Sequence, residues 1–390
     1  MPWKETCAMD QRMQFIAVWQ RDELTMSDLC RMFGVSRTTG YELVARFRAE
    51  GYTGLEDRSR APRHHPNAVP EAVRRLLIRL RKKYGWGPVK LLDWMKLNRP
   101  GLMRPAASTV DELLRREGLI KPRQRVRRAP AYGAPYAIAV EPNDLWCIDF
   151  KGWFRTADGL RCYPLTMSDA CSRYLLCCRA LGGETHALTA PWIERTMRKF
   201  GLPSAIRTDG GEPFASRGLG ALSALSVKWI KLGIVPERIR PGHPEQNGRH
   251  ERLHGTLKGR CRIGANLRDQ QRNFDRFVRE YNLERPHQSL KGKTPTMLYR
   301  NSLRSYPVRM PKIEYESGLD VRYVRASGQI SWRGREWYVS AVLADEPIAL
   351  CPIEDGVWRI HFGPLAIGLL DVRNKRIEPI ETFIDVPTLH

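Results

Sequence analysis

Three carboxylates lie where they could do metal chemistry. Asp149 falls inside LWCIDF, an apolar strand-like run, and a buried ionised carboxylate is costly unless it meets a base or a cation. A salt bridge to a buried Arg or Lys would satisfy it equally. Asp209 closes the run AIRT directly before Gly210-Gly211. Taken by itself it reads first as a turn residue, as does Asp169 in SDACSR. Glu251 belongs to PGHPEQNGRHERLHGTLKGR, residues 241–260. A helix is predicted there from near Pro244. It would place Asn247, Glu251, His254 and Lys258 on one face, and Leu253, Leu257 and Cys261 with His250 on the other. Glu245 would occupy the first turn, where the helix dipole favours any acid. If Asp149, Asp209 and Glu251 converge, their oxygens suit Mg²⁺ or Mn²⁺. Two such ions about 3.5–4 Å apart stabilise the attacking and leaving oxygens of phosphodiester chemistry. Arg249, His250, Arg252, His254 and Lys258, with Asn247 beside them, would hold phosphates.

The elements that must position these groups alternate strand and helix over 140–304. DLWCIDFKGWF, GLRCYPLTMSDA and SRYLLCCRAL read as three antiparallel strands. A helix capped by Thr185 and stopped at Gly201 follows, then the strand SAIRT, a helix near Leu219–Leu232, the strand IVPERIR, the helix bearing Glu251 and the helix DQQRNFDRFVREYN. This is a mixed α/β unit. Beyond residue 305, six short runs split by SG, RG, DG and GP turns predict a small β-barrel, with Arg322, Arg325, Arg333 and Arg335 exposed to DNA or to a partner subunit.

Ahead of the α/β unit the chain is helical. In residues 1–53, a helix over 10–22 precedes LTMSDLCRMFGVSRTTGYELVARFRAEG. Ser27 and Ser36 are candidate caps there, and Gly34 makes the turn. Helix, glycine turn and helix is the pattern of a helix-turn-helix DNA reader. Arg37, Thr38, Thr39 and Tyr41 would face the major groove, with Arg46 further along the helix. Residues 70–120 hold three more predicted helices. They form either a second DNA reader, with Arg115 and Arg116 near its end, or a packed spacer. Residues 54–69 and 121–139 read as linkers. The second carries Arg123, Arg125, Arg127 and Arg128, a tether suited to crossing DNA.

Composition agrees with a polyanionic partner. The chain has 390 residues and a formal net charge of +23. Residues 1–140 hold 27 Lys and Arg against 14 Asp and Glu, so the N-terminal third is the denser footprint. No apolar run approaches the roughly 20 residues of a membrane span, and no signal peptide is evident. Nine cysteines without a CxxC pair read as reduced thiols in a cytoplasmic, nucleoid-associated protein, and zinc ligands are not expected.

DLWCIDFKG, IRTDGGEPFA, PGHPEQNGRHERLHGTLK and FVREYNLERPHQSLKGKTPTMLY together resemble the catalytic region of bacterial insertion-sequence transposases of the DDE group, relatives of retroviral integrases. The helix-turn-helix followed by LEDRSRAP resembles the same group's N-terminal region. The resemblance implies an RNase H-like core with Asp149, Asp209 and Glu251 as catalytic and metal-holding residues. It selects Glu251 over Glu245, because the family's glutamate follows the Asn-Gly pair. His287, in RPHQSL, would lie near the site or be structural. Two departures stand out. The step from Asp209 to Glu251 is longer than the family's usual spacing, a surplus expected as a longer helix in SRGLGALSALSVKW. There are also no ligands for the zinc module that precedes retroviral integrase cores. The implied activity is a transposase that binds the terminal inverted repeats of its element and uses two Mg²⁺ or Mn²⁺ ions to nick 3′ ends and transfer them into target double-stranded DNA, as a homo-oligomer. A transposase-derived regulator with a silent core and a metal-dependent DNA nuclease are the alternatives.

Overall fold

The computed structural model describes residues 7–58, 68–120, 139–216, 218–239 and 247–380. Arg123, Arg125, Arg127, Arg128 and Glu245 lie outside the described residues, as does the expected helix start near Pro244. The chain divides into two units, Met1–Ala68 and Val69–His390.

The first unit packs α1 (Ala8–Gln20), α2 (Met26–Phe33) and α3 (Arg37–Glu50) around Phe15, Ile16, Leu29, Cys30, Leu43, Val44 and Leu55. Thr25, not Ser27, caps α2: its hydroxyl accepts from the Asp28 amide at 3.3 Å. Gly34 ends that helix at φ +66°, a conformation that costs glycine little, and Ser36 caps α3 by accepting from the Thr39 amide. The tight α2–α3 turn of a helix-turn-helix is therefore built by a cap, a left-handed glycine and a second cap.

The second unit opens with α4 (Glu71–Tyr84), α5 (Pro88–Asn98) and α6 (Ala107–Arg116). They close on Val73, Leu77, Leu80, Leu91, Met95, Val110 and Leu114. Each fully buried aliphatic side chain of this kind contributes roughly 1.5–3 kcal/mol relative to exposure.

Next comes a mixed sheet. β1 (Leu145–Phe150), β2 (Phe154–Arg155), β3 (Arg161–Asp169), β4 (Leu175–Leu181), β5 (Ala205–Thr208) and β6 (Val235–Arg238) are its strands. β3 runs antiparallel to β1 and β4, whereas β5 is parallel to both β1 and β6. The central strand β1 is apolar over LWCI because both faces are covered. One core gathers Trp146, Ile148, Leu165, Met167 and Ile206 with residues of α7 (His186–Phe200) and α8 (Ala224–Lys231). The other face carries Cys162, Leu175 and Cys178 against α9 (Gly248–Arg260) and α10 (Leu267–Arg279). Asp169 is fully buried at the end of β3 and accepts from the Asn143 and Ser172 amides, so it organises a turn as expected.

The surplus before α8 is not a longer helix. Leu219–Ala221 form a single 3₁₀ turn, and α8 is an eight-residue helix capped by Ser223. Gly220 has φ +60°, and a Cβ there would lie 2.8 Å from Ile367 Cγ2. The segment is broken because it docks on the C-terminal domain.

That docking also explains why the described strands of the C-terminal region do not close into a barrel. β7 (Asp320–Tyr323), β10 (Pro347–Glu354), β11 (Val357–Phe362), β12 (Leu365–Asp371) and β13 (Arg376–Pro379) form an open antiparallel sheet in the order β13–β12–β11–β10–β7. β8 (Gln329–Trp332) and β9 (Arg335–Tyr338) form a separate ribbon. The sheet buries Ile348, Ile360, Ile367 and Leu370 together with Leu219, Leu222, Val227 and Ile230 of the α/β region. An apolar face covered by a neighbouring element need not close on itself. β13 was not foreseen from sequence.

Candidate active site

Asp149 and Asp209 are brought to the same end of two paired parallel strands. Cys147 of β1 is in register with Arg207 of β5, and each aspartate follows its register partner by two residues. On the pleated β1 that spacing puts Asp149 on the same face as Cys147, and Asp209 sits one residue past the end of β5. Glu251 lies in the first turn of α9, where the helix dipole favours an acid, and is exposed.

These acids feel one another. Burial first, then the Asp209 charge, with smaller contributions from Glu251 and Glu184, pushes the Asp149 carboxyl up to about 7. Loss of hydration raises Asp209, partly offset by its hydrogen bond from the Gly211 amide. Glu184, in the β4–α7 connection, is raised by burial and by Asp209. Sequence reading missed Glu184. Its only signal is the position in GGET, directly before the cap of α7.

The helix face beneath Glu251 is spent on holding α9 to the sheet. Thr166 Oγ1 contacts His250 Nε2 at 2.7 Å, His254 Nε2 at 2.8 Å and the Asp149 carbonyl at 3.1 Å. A hydroxyl has one proton to give. If Thr166 donates to the carbonyl, both imidazoles must donate their Nε2 protons to it. His250 Nδ1 then accepts from Ser168 Oγ at 2.9 Å. Burial accordingly drives His250 well below its ordinary range and His254 down to about 4. Expected among phosphate-holding bases, both are neutral and bonded internally instead.

Asp149, His250 and His254 offer ligand atoms within 4.8 Å of one another. That nitrogen-rich set does not fit a cation, because both Nε2 atoms are committed to Thr166. The carboxylates do fit: they are oxygen donors crowded by like charge, the situation a hard divalent cation relieves. Asn247 is buried beside them. Its amide donates to Asp149 Oδ2 at 3.4 Å, and its Oδ1 has no partner among the described residues.

The other expected DNA contacts divide. Arg37, Thr38, Thr39 and Tyr41 are exposed on α3. Arg46 turns inward and donates to the Glu56 carbonyl. Arg115 pairs with Asp111 and Glu112, and Arg116 with Glu112, so both complete the charge pattern of α6. Arg249, Arg252 and Lys258 are exposed on α9. Arg322 pairs with Asp320, Arg325 with Glu336, and Arg333 stacks on Trp332 and Trp358. His287 is half-buried against the Tyr281 ring.

Known proteins agree with this layout. Residues 139–244 and 232–295 match integrase core domains. Residues 11–63 match a helix-turn-helix domain, 39–114 a homeodomain-like domain, and 319–378 the C-terminal domain of IS481 family transposases. An uncharacterized 31.7 kDa protein of insertion element IS407 from Burkholderia multivorans is 26% identical over 199 residues, 50% of this chain and 65% of that one. A 39.2 kDa protein of IS476 from Xanthomonas euvesicatoria is 26% identical over 190 residues, 48% and 52% of the two chains. The match thus spans about half to two thirds of these relatives' length. Among solved structures, the HTLV-2 integrase catalytic core in complex with magnesium aligns at 18% identity over 41% of this chain and 99% of that one, with a TM-score of 0.33. The simian T-cell lymphotropic virus intasome in complex with a PP2A regulatory subunit aligns at 16% identity over 76% and 98%, with a TM-score of 0.35. The chain is thus similar to transposases that combine helix-turn-helix domains with an integrase-like core. The relatives that match it in sequence are proteins of bacterial insertion elements, and its C-terminal region matches a domain of IS481 family transposases.

Proposed function

We propose that this protein nicks the 3′ ends of its mobile element and joins them to target double-stranded DNA, working as a homo-oligomer that holds two ends together. The carrying observation is that Asp149 and Asp209 each lie two residues past the last paired residues of two parallel strands, Cys147 and Arg207, with Glu251 close enough to raise Asp149. Asp149, Asp209 and Glu251 would hold Mg²⁺ or Mn²⁺, and a pair of such cations supplies Lewis-acid stabilisation of the attacking and leaving oxygens. Asn247 steadies Asp149 through its amide, and Thr166 with His250 and His254 locks α9 against β1 and β3. The exposed residues of α3, Arg37, Thr38, Thr39 and Tyr41, would bind the terminal repeats through a major groove. Arg249, Arg252 and Lys258 would hold backbone phosphates near the acids.

The test incubates purified protein with labelled element ends, a target plasmid and Mg²⁺ or Mn²⁺. Joined products are expected. Cleavage without joining would point to a nuclease, and retarded but intact DNA to a regulator.

A further inference from the structure

The opposite face of α9 has a site of its own. Arg249, Arg252 and Thr256 lie about half a turn round the helix from Asn247, Glu251 and His254. They line a cavity of about 350 Å³ with Lys90 of α5, Arg173 of the β3–β4 turn and Arg285 beyond α10. Five cations from four separate parts of the chain meet there, and no carboxylate is among the lining residues. None of the five makes an ion pair among the described residues, whereas Arg260, further along α9, is paired with Glu280 at 2.7 Å. A wider cleft of about 860 Å³ shares Lys90, Arg252, Thr256 and Arg285. It runs between α9 and the α4–α5 turn, and Glu251 is on its wall.

Unpartnered polar atoms concentrate in the same place. Among the described residues seven buried side-chain nitrogens or oxygens lack a partner, and four of them belong to these two cavities: Arg173 Nη1, Arg285 Nε, His287 Nε2 and Trp86 Nε1. Buried donors are ordinarily satisfied, so a cluster of exceptions calls for a ligand. Crowding with like charge, after burial, also lowers Lys90 to about 8 and lowers Arg173. Guanidinium groups without acids match the oxygens of a phosphodiester.

We propose that the cleft between the α4–α5 turn and α9 is a phosphate-binding track, anchored by Lys90, Arg173, Arg249, Arg252 and Arg285, that holds the backbone of the DNA strand whose reacting phosphodiester lies at Glu251. This rests on the DNA-joining reading for its substrate, and it makes residues 70–98 part of the catalytic architecture rather than a spacer. The walls come from the α/β region and the helices before it, so the track exists only when both are packed together.

The experiment uses the full chain without divalent metal. Thermal unfolding is followed in sodium phosphate and in sodium chloride at matched ionic strength, for the parent, Lys90→Gln and Arg285→Gln. Phosphate should raise the parent's Tm above the chloride value, and both variants should lose that difference. Lys90→Gln, on the cavity rim, guards against a folding defect in Arg285→Gln. Duplex binding is then titrated with salt. Each variant should flatten the slope of log K against log salt by about 0.9 for one lost phosphate contact. No phosphate-specific rise, or an equal rise in both variants, overturns the site. A lost phosphate response with an unchanged DNA slope overturns its assignment to a DNA strand. Phosphate binding by a parent that joins no DNA would sink the transposase reading alone.

Discussion

The two faces of α9 carry opposite problems. On one, Asp149, Asp209, Glu184 and Glu251 crowd negative charge, and Asp149 is held up near 7. On the other, Lys90, Arg173, Arg249, Arg252 and Arg285 crowd positive charge with no acid among them. The two sets could have neutralised each other across one helix. Instead His250, Leu253 and Leu257 pin the helix to the sheet and keep them apart. A fold that keeps opposite charges apart this way leaves each cluster complementary in charge to something outside the chain, a cation on one side and an anion such as a phosphate on the other.

The strongest way to break this comparison is to discharge the acidic face. Asp149→Asn, Asp209→Asn and Glu251→Gln should each lower joining of labelled ends by about a hundredfold or more, with the fold intact by circular dichroism. Activity equal to the parent in any of them would remove that residue from the site.

Metal and pH offer the next test. The folded Asp149 carboxyl is raised above its unfolded value of 3.8. The folded state therefore binds the proton more tightly, and without metal this group's penalty accrues as pH rises from about 4 to 7. Added Mg²⁺ or Mn²⁺ should raise Tm more at pH 8 than at pH 6, and Asp149→Asn should raise the metal-free Tm at pH 8 and blunt the metal response. An equal metal response at both pH values would argue against carboxylate binding.

The first unit supplies a sharper, smaller contrast. Arg37→Ala should weaken duplex binding while changing stability by less than about 0.5 kcal/mol. Arg46→Ala should cost about 1–2 kcal/mol through its lost bond to the Glu56 carbonyl, read by chemical denaturation. The smallest effects are expected from acids outside the proposed set of three ligands. Glu184→Gln should change joining only a few-fold, through the field at Asp149, and Glu245→Gln should leave it intact in the same assay.

Much of this was legible from one sequence. The apolar run around Asp149 identified a buried strand, the Asp-Gly-Gly turn marked a strand end, and the 3.6-residue period of α9 separated Glu251 from Leu253 and Leu257. Local patterns of this kind are fixed by short-range sterics and hydrophobic spacing. Long-range pairings left no such trace. Thr166 claiming both His250 and His254 joins residues over 80 positions apart. Arg46 and Arg115 looked like free bases, but their partners follow from rotamers and packing rather than spacing.

Sequence by itself thus determined the kinds of element, their order and where along them the acids fall, because each is written in neighbouring residues. Only the tertiary structure decided which charges face solvent. It opened the expected barrel, because Leu219 and Leu222 cover the sheet's apolar face. It also gathered five cations from distant segments into one cavity, because α5, α9 and the β3–β4 turn meet only once the chain is packed.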